Sequence, residues 1–176
     1  MRAAIGRAKK VLEGRKDIVG VEVGVDQGTH ALEMLTLWKE IKTLHLVDDY
    51  SSRSWDHYGD ARDKLGVFKD KTIWYLAKSE EAVMLFDDKS LDFAYIDASH
   101  YHDDVLADCI KWWPKVKDNG VLCGHDYRVD WENMDEHTPS WINAHGVVRA
   151  VNEFVEINNL KLGTKTDGSS SDWWII

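Results

Sequence analysis

The amino-acid sequence predicts an α/β fold: a doubly wound sheet of about seven strands, mostly parallel, with helices on both faces and an antiparallel last strand. Three observations carry this. Short apolar runs of strand length alternate with stretches whose apolar residues recur at helical spacing, giving five strand–helix units. The final two runs are separated instead by a short Gly/Ser stretch, as in a hairpin. The 176 residues, 44% hydrophobic and 30% charged, suit a single domain (1–176) around one layered core. Right-handed crossovers leave few other arrangements for such a string of units.

An amphipathic helix is expected over residues 3–13, within an N-terminal segment 1–17. "IVGVEVG" (18–24) reads as the first strand, and the next helix carries Ala31, Leu32, Leu35 and Trp38 on one face. "TLHLVD" (43–48) is the second strand. The polar, aromatic stretch "DYSSRSWDHYGDARDKLG" holds a loop and a helix, and "TIWYLA" (72–77) is the third strand. Ser79 is placed to cap the helix of "SEEAVMLF", and "DDKS" turns the chain into the strand "LDFAYID" (91–97). From residue 102, Val105, Leu106, Cys109, Ile110 and Trp113 recur at helical spacing until Pro114. Asp103 and Asp104 lie in that helix's first turn, where acids complement the helix dipole, so capping is the role expected of both. "KDNG" reads as a turn before the strand "VLCGHD" (121–126). A polar, substrate-side loop (127–145), the helix "VVRAVNEFVEIN", and a hairpin of "LKLG", "TKTDGSSS" and "DWWII" complete the chain.

The net charge is -9, with 31 acidic residues against 22 basic ones, so the average field repels nucleic-acid phosphates and anionic membrane surfaces. No apolar run reaches bilayer-spanning length, and the N-terminus lacks the apolar centre of a secretory signal. A soluble, cytoplasmic protein with neither nucleic acid nor membrane as partner is expected. Cys109 and Cys123 each sit in apolar context and read as buried hydrophobes, not as a disulfide or zinc signature.

In sheets of this kind ligands bind outside the carboxyl ends of the strands. That rule gathers Gly24 to Gly28, Asp48 with Asp49, Ala77 to Ser79, Asp97 to His100, and His125 with Asp126 at one edge. Gly24 and Gly28 permit the tight turn and close backbone approach that a nucleoside needs. Asp48, twenty residues after Gly28, stands where an acid accepts hydrogen bonds from ribose hydroxyls. Glu22 and Asp26 flank the glycines and no basic residue follows them, so a pyrophosphate would meet like charge there, while a cationic ligand would not.

S-adenosylmethionine, an adenosine bearing a sulfonium and no phosphate, matches that combination. "VEVGVDQG" resembles the E-x-G-x-x-x-G first motif of class I S-adenosylmethionine-dependent methyltransferases, whose fold is Rossmann-like. "IDASHYHDDVLADCIKWWPKVKDNGVLCGHDY" resembles the fourth-to-fifth strand region of macrocin-type sugar O-methyltransferases and cephalosporin hydroxylase-like proteins. The resemblance runs from Val19 to Ile176. It implies that Glu22, Gly24 and Gly28 contact the methionine end, Asp48 the ribose, and Lys78 with Ser79 the adenine edge; a helix cap is the equal alternative for Ser79. Asp26 and Asp97 are expected to face the same cofactor.

The resemblance also implies a magnesium site, built from an aspartate after the fourth strand and an acid pair after the fifth, that lowers the pKa of a substrate hydroxyl. Asp97 and Asp126 stand at the matching places. His125 replaces an acid and Ser99 replaces a residue that is an acidic base in some relatives; imidazole suits zinc, iron or manganese better than magnesium. Magnesium, another divalent ion, or no metal thus all stay open, with Asp97, Asp126 and His125 as candidate ligands. Without a metal, His100 is the first candidate to take the proton and His125 the second, with Asp97 beside them. His30, His45 and His57 have no assignable partner and read as structural or surface residues.

The acceptor is expected to be a small hydroxylated molecule, a saccharide among the candidates. Trp55, Tyr58, Trp131 and Trp141 lie in polar loops, where stacking on a ring and packing in a homodimer explain them equally well. Two other readings share the fold: a nucleotide-sugar or dinucleotide-binding enzyme, and a methyltransferase-fold binding module without catalysis.

Overall fold

The computed structural model describes residues 1–51, 55–127, 145–167 and 170–176. Seven strands form one sheet: β1 Ile18–Val23, β2 Ile41–Val47, β3 Thr72–Tyr75, β4 Leu91–Ile96, β5 Val116–Gly124, β6 Leu162–Asp167 and β7 Ser170–Ile175. Their order is β3-β2-β1-β4-β5-β7-β6. The first five are parallel, whereas β7 runs antiparallel to both β5 and β6, as the hairpin pattern predicted. The connecting helices are α1 Ala3–Val11, α2 Thr29–Leu37, α3 Trp55–Leu65, α4 Ser79–Ala82, α5 His102–Trp112 and α6 His145–Ile157. The Rossmann-like class read from the sequence is therefore the observed one.

Strand β4 is buried along its whole length, and its side chains divide between the two faces. Phe93 and Tyr95 pack with Ile5 and Ala8 of α1, Met34 and Leu35 of α2, and Ala61 and Leu65 of α3. Ala94 and Ile96 pack with Val105, Cys109 and Trp112 of α5 and with Val147, Val151 and Phe154 of α6. Each large apolar side chain taken from water contributes about 1.5–3 kcal/mol, so these two layers hold the strand ends in register. Both cysteines are free and buried, as expected.

Three local expectations are corrected. "KDNG" lies inside β5, because Leu91 pairs with Val116 while Phe93 pairs with Val121, and the residues between loop out as a bulge with Asn119 at φ 61°. The helix expected over "SEEAVMLF" is a single α turn running into a 3₁₀ turn, Val83–Leu85. Much of the stretch read as the turn "TKTDGSSS" is strand, with Thr164 opposite Trp173 and Thr166 opposite Ser171.

At the centre of the cleft edge, Gly24 has φ 90°, and a Cβ built there would lie 2.2 Å from the carbonyl oxygen of Asp97. Gly24→Ala is thus expected to lose about 1–3 kcal/mol from the left-handed backbone alone, with the clash adding to it. Urea denaturation of the variant against wild type measures that loss, and unchanged stability would contradict the packing described.

Candidate active site

A cleft of about 880 Å³ crosses the carboxyl ends of the parallel strands. Glu22, Gly24, Asp26, Asp48, Lys78, Ser79, Asp97, His100, His125 and Asp126 all line it. Gly28 does not. It ends the loop as the left-handed residue before α2, φ 70°, where a Cβ would press on Ala61 and Leu65 at 3.1 Å, so its role is to let α3 approach.

Asp48 organises the glycine loop. Its Oδ2 accepts hydrogen bonds from the backbone N–H of Val25 at 2.8 Å and Asp26 at 3.0 Å, and its Oδ1 accepts from Tyr50 N–H at 2.8 Å. Asp26 sits at φ 50°, its carbonyl accepts from the Tyr50 hydroxyl, and its Oδ1 lies 2.6 Å from His57 Nδ1. His57 thus has a partner that lies 31 residues away in sequence.

Below the loop, Glu22 is 1% exposed and its Oε1 lies 2.7 Å from His30 Nδ1. Burial pushes the Glu22 carboxyl up to about 8 and the His30 imidazole down to about 4, so both are neutral at pH 7. Among the described residues, Glu22 Oε2 and His30 Nε2 have no hydrogen-bond partner. The charge expected of Glu22 is therefore absent. No basic residue follows the glycines in sequence, but one from far upstream reaches the site: Arg2, just before α1, lines the cleft and bonds to the Asp97 carboxylate and, at 2.6 Å, to the Tyr95 hydroxyl.

Asp97 follows β4 and Asp126 follows β5. Burial lifts the Asp97 carboxyl above the usual range, with Arg2 and His125 pulling it back. Burial would raise Asp126 as well, but His100 Nε2 at 2.9 Å from its Oδ2 and His125 Nδ1 at 3.1 Å from its Oδ1 outweigh this and hold it well below the usual range. An ionised carboxylate only accepts, so Nε2 of His100 carries the hydrogen of that contact. His125 Nε2 stands 3.7 Å from Oδ1 of Asp172, a fully buried acid on β7 whose Oδ2 accepts from Ala4 N–H at 3.0 Å.

One ligand atom each from Asp97, His100 and Asp126 lies within 4.8 Å of the other two, a spacing at which a cation could be held. His100 rather than His125 completes this trio. A mixed nitrogen and oxygen set does not suit magnesium, and both carboxylates already face a guanidinium or imidazoles, so the residues do not fit the magnesium site that the resemblance implies.

At the opposite wall Ser79 does not cap α4 through its side chain. Its hydroxyl donates to Asp108 Oδ1 at 2.5 Å and accepts from the Trp112 indole at 2.8 Å. Burial pushes Asp108 up to about 6 despite that bond. Asp104 lines the cleft and accepts from the Ser99 hydroxyl, whereas Asp103 is exposed beside His102. Tyr58 packs on Tyr50 and Trp74 rather than on the cleft, while Trp131, Trp141 and all of 128–144 lie outside the described residues. Sequence reasoning missed Arg2, His30, Asp108 and Asp172; only the helical spacing of Asp104 and Asp108 hinted at any of them.

The sheet order, with a cleft over the carboxyl ends of the parallel strands bounded by a glycine loop and by Asp97 and Asp126, defines a doubly wound α/β protein. Residues 21–127 match the family described as "Methyltransferase domain", and the chain belongs to that family. No curated protein matches it. Among solved structures it is similar to the S-adenosylhomocysteine-bound Podospora anserina methyltransferase PaMTH1, with TM-score 0.70, 12% identity, and coverage of 89% of this chain and 70% of that one. It is similar also to the Bacillus cereus O-methyltransferase in complex with S-adenosylhomocysteine (TM-score 0.65, 14% identity, covering 89% and 71%). A third is precorrin-6y C5,15-methyltransferase from Geobacter metallireducens (TM-score 0.63, 16% identity, covering 97% and 83%). The shared feature is the fold, that of S-adenosylmethionine-dependent methyltransferases. Among the described residues no helix is long and apolar enough to cross a membrane.

The buried carboxyl of Glu22 predicts a pH effect. An unfolded Glu ionises near 4.5 and the folded one near 8, so the unfolded state sheds its proton first and stability falls as pH rises between those values. Thermal melts from pH 5 to 8 are expected to show this decline in wild type relative to Glu22→Gln; parallel profiles would refute the burial assignment.

Proposed function

We propose that this protein transfers a methyl group from S-adenosylmethionine to a hydroxyl of a small hydroxylated acceptor, such as a saccharide or natural-product moiety. The observation that supports it is the juxtaposition, in one cleft, of the Asp48-organised glycine loop with the His100–Asp126 pair. The cofactor, when bound, supplies a methyl group on a sulfonium that is open to in-line displacement.

The chain's residues contribute orientation, charge and a base. Asp48 spends both acceptor positions of Oδ2 and one of Oδ1 on backbone N–H groups and keeps one on Oδ1 for a ribose hydroxyl, since each oxygen can accept twice. Nine carboxyl side chains line the cleft against three cations, Arg2, Lys78 and Lys111. Even with Glu22 neutral, that balance favours a sulfonium over a pyrophosphate. His100 accepts the acceptor's proton at Nδ1, while Asp126 holds the ring and stabilises the imidazolium. Fixing the hydroxyl against the methyl carbon contributes on the order of several kcal/mol through orientation alone.

Calorimetric titration with S-adenosylmethionine and S-adenosylhomocysteine tests the reading. Saturable binding is expected for wild type, weakened roughly tenfold or more, about 1.4 kcal/mol, by Asp48→Ala and within twofold of wild type, roughly, in Asp103→Ala. Absence of binding by wild type, with retention on immobilised NADP instead, would replace it with the dinucleotide alternative. With an acceptor in hand, His100→Asn is expected to lower kcat about 10²-fold at unchanged cofactor affinity.

A further inference from the structure

The two strand-end carboxylates, Asp97 and Asp126, already have their counter-charge from within the chain. Arg2 bonds to Asp97 Oδ2 and to the Tyr95 hydroxyl, its side chain 33% exposed and facing the cleft. Its backbone is anchored rather than loose. The next helix begins one residue later, its Ala4 N–H is capped by buried Asp172, and Ala4, Ile5 and Ala8 are fully buried. The hydroxyl of Tyr95, also fully buried, accepts from the same Nη1 that donates to Asp97. Asp126 is bracketed by His100 and His125, one on each carboxylate oxygen.

We propose that Arg2 is the built-in cation of the acceptor half of the cleft and that it excludes a divalent metal ion from Asp97. An incoming ion would have to displace the guanidinium from the carboxylate and then remain beside it, two positive centres sharing one buried anion. Arginine stays charged at every accessible pH, is weakly hydrated, and presents several N–H donors in one plane, so it serves a half-buried carboxylate without being loaded from solution. It can also face an oxygen that gains negative charge as His100 removes its proton, the task for which fixed donors and cations are suited. For that functional meaning the inference rests on the methyl-transfer reading; its metal-exclusion content stands on the Arg2–Asp97 pair alone.

Manganese(II), which accepts oxygen and imidazole donors, is the probe. Its binding is followed by loss of the free Mn²⁺ electron paramagnetic resonance signal and by calorimetry, on wild type, Arg2→Met, Arg2→Lys and Arg2→Met/Asp97→Asn, with folding checked by circular dichroism. Wild type and Arg2→Lys are expected to bind weakly, Arg2→Met roughly tenfold or more tightly, and the double variant to lose that gain. Equal Mn²⁺ affinity in wild type and Arg2→Met overturns the proposal, as does a gain that survives in Arg2→Met/Asp97→Asn. Wild type carries the test independently of the Met variant's folding, because tight Mn²⁺ binding by wild type refutes exclusion outright. S-adenosylhomocysteine titrated into the same samples separates the two readings: failure to bind rejects the cofactor assignment and leaves the manganese result intact.

Discussion

The backbone of Gly24 lies against the backbone of Asp97, and the cleft is positioned by that contact. Only a residue without a Cβ can bring the end of β1 so close to the end of β4, because the next heavy atom would stand 2.2 Å from a carbonyl oxygen. The approach sets the glycine loop beside Asp97 and, through the parallel pairing of β4 with β5, beside Asp126 as well. Burial of β4 on both faces keeps this geometry from relaxing, since the apolar layers would have to separate for the strand to move.

Beneath that edge the protein keeps an unusual number of ionisable groups away from water, and it does so by pairing them. Glu22 meets His30 with both neutral, Arg2 meets Asp97 with charge retained, and Asp126 is shared by two imidazoles. Desolvation disfavours every charged form here, so the outcome at each position depends on whether a partner is close enough to offset it. Neutral and charged pairs side by side divide the cleft electrostatically: the Glu22 side is a polar but uncharged floor, while the Asp126 side holds a fixed anion against two rings. A base works best where its conjugate acid is stabilised, and that condition is met at His100 and not at His30.

The sheet was legible because its signals are local. Alternating strand and helix periodicities, the closing hairpin, and the rule that ligands sit at the carboxyl ends of parallel strands were enough to bring ten of the named residues to one cleft. The failures share a different cause. His57 and Asp26, Arg2 and Asp97, and His125 and Asp172 are partners across long stretches of sequence, and no spacing rule connects them. Ser79 looked like a cap because its neighbours open a helical turn, yet a hydroxyl beside a buried acid and an indole binds those instead. "KDNG" has turn chemistry, and the chain spends it on a bulge within β5, a choice made by pairing with β4 rather than by local preference. Glu22 was read as an anion since sequence reports an ionisable group but not its burial.

The hydrogen bond from Ala4 N–H to Asp172 joins residues 168 positions apart. Helix α1 docks on β5 and β7, so the surface that receives it includes the last strand of the chain. During synthesis α1 leaves the ribosome long before its seat on β7 exists, so the bond from Ala4 to Asp172 can close only after the rest of the sheet has been made. That contact closes a loop of 168 residues, and the entropy of closing it grows only slowly with length, so docking α1 on the far end of the chain costs little more than a much shorter connection would. The two ends of the sequence are thereby fastened together behind the cleft, and the same short segment that seats on β7 delivers Arg2 to Asp97.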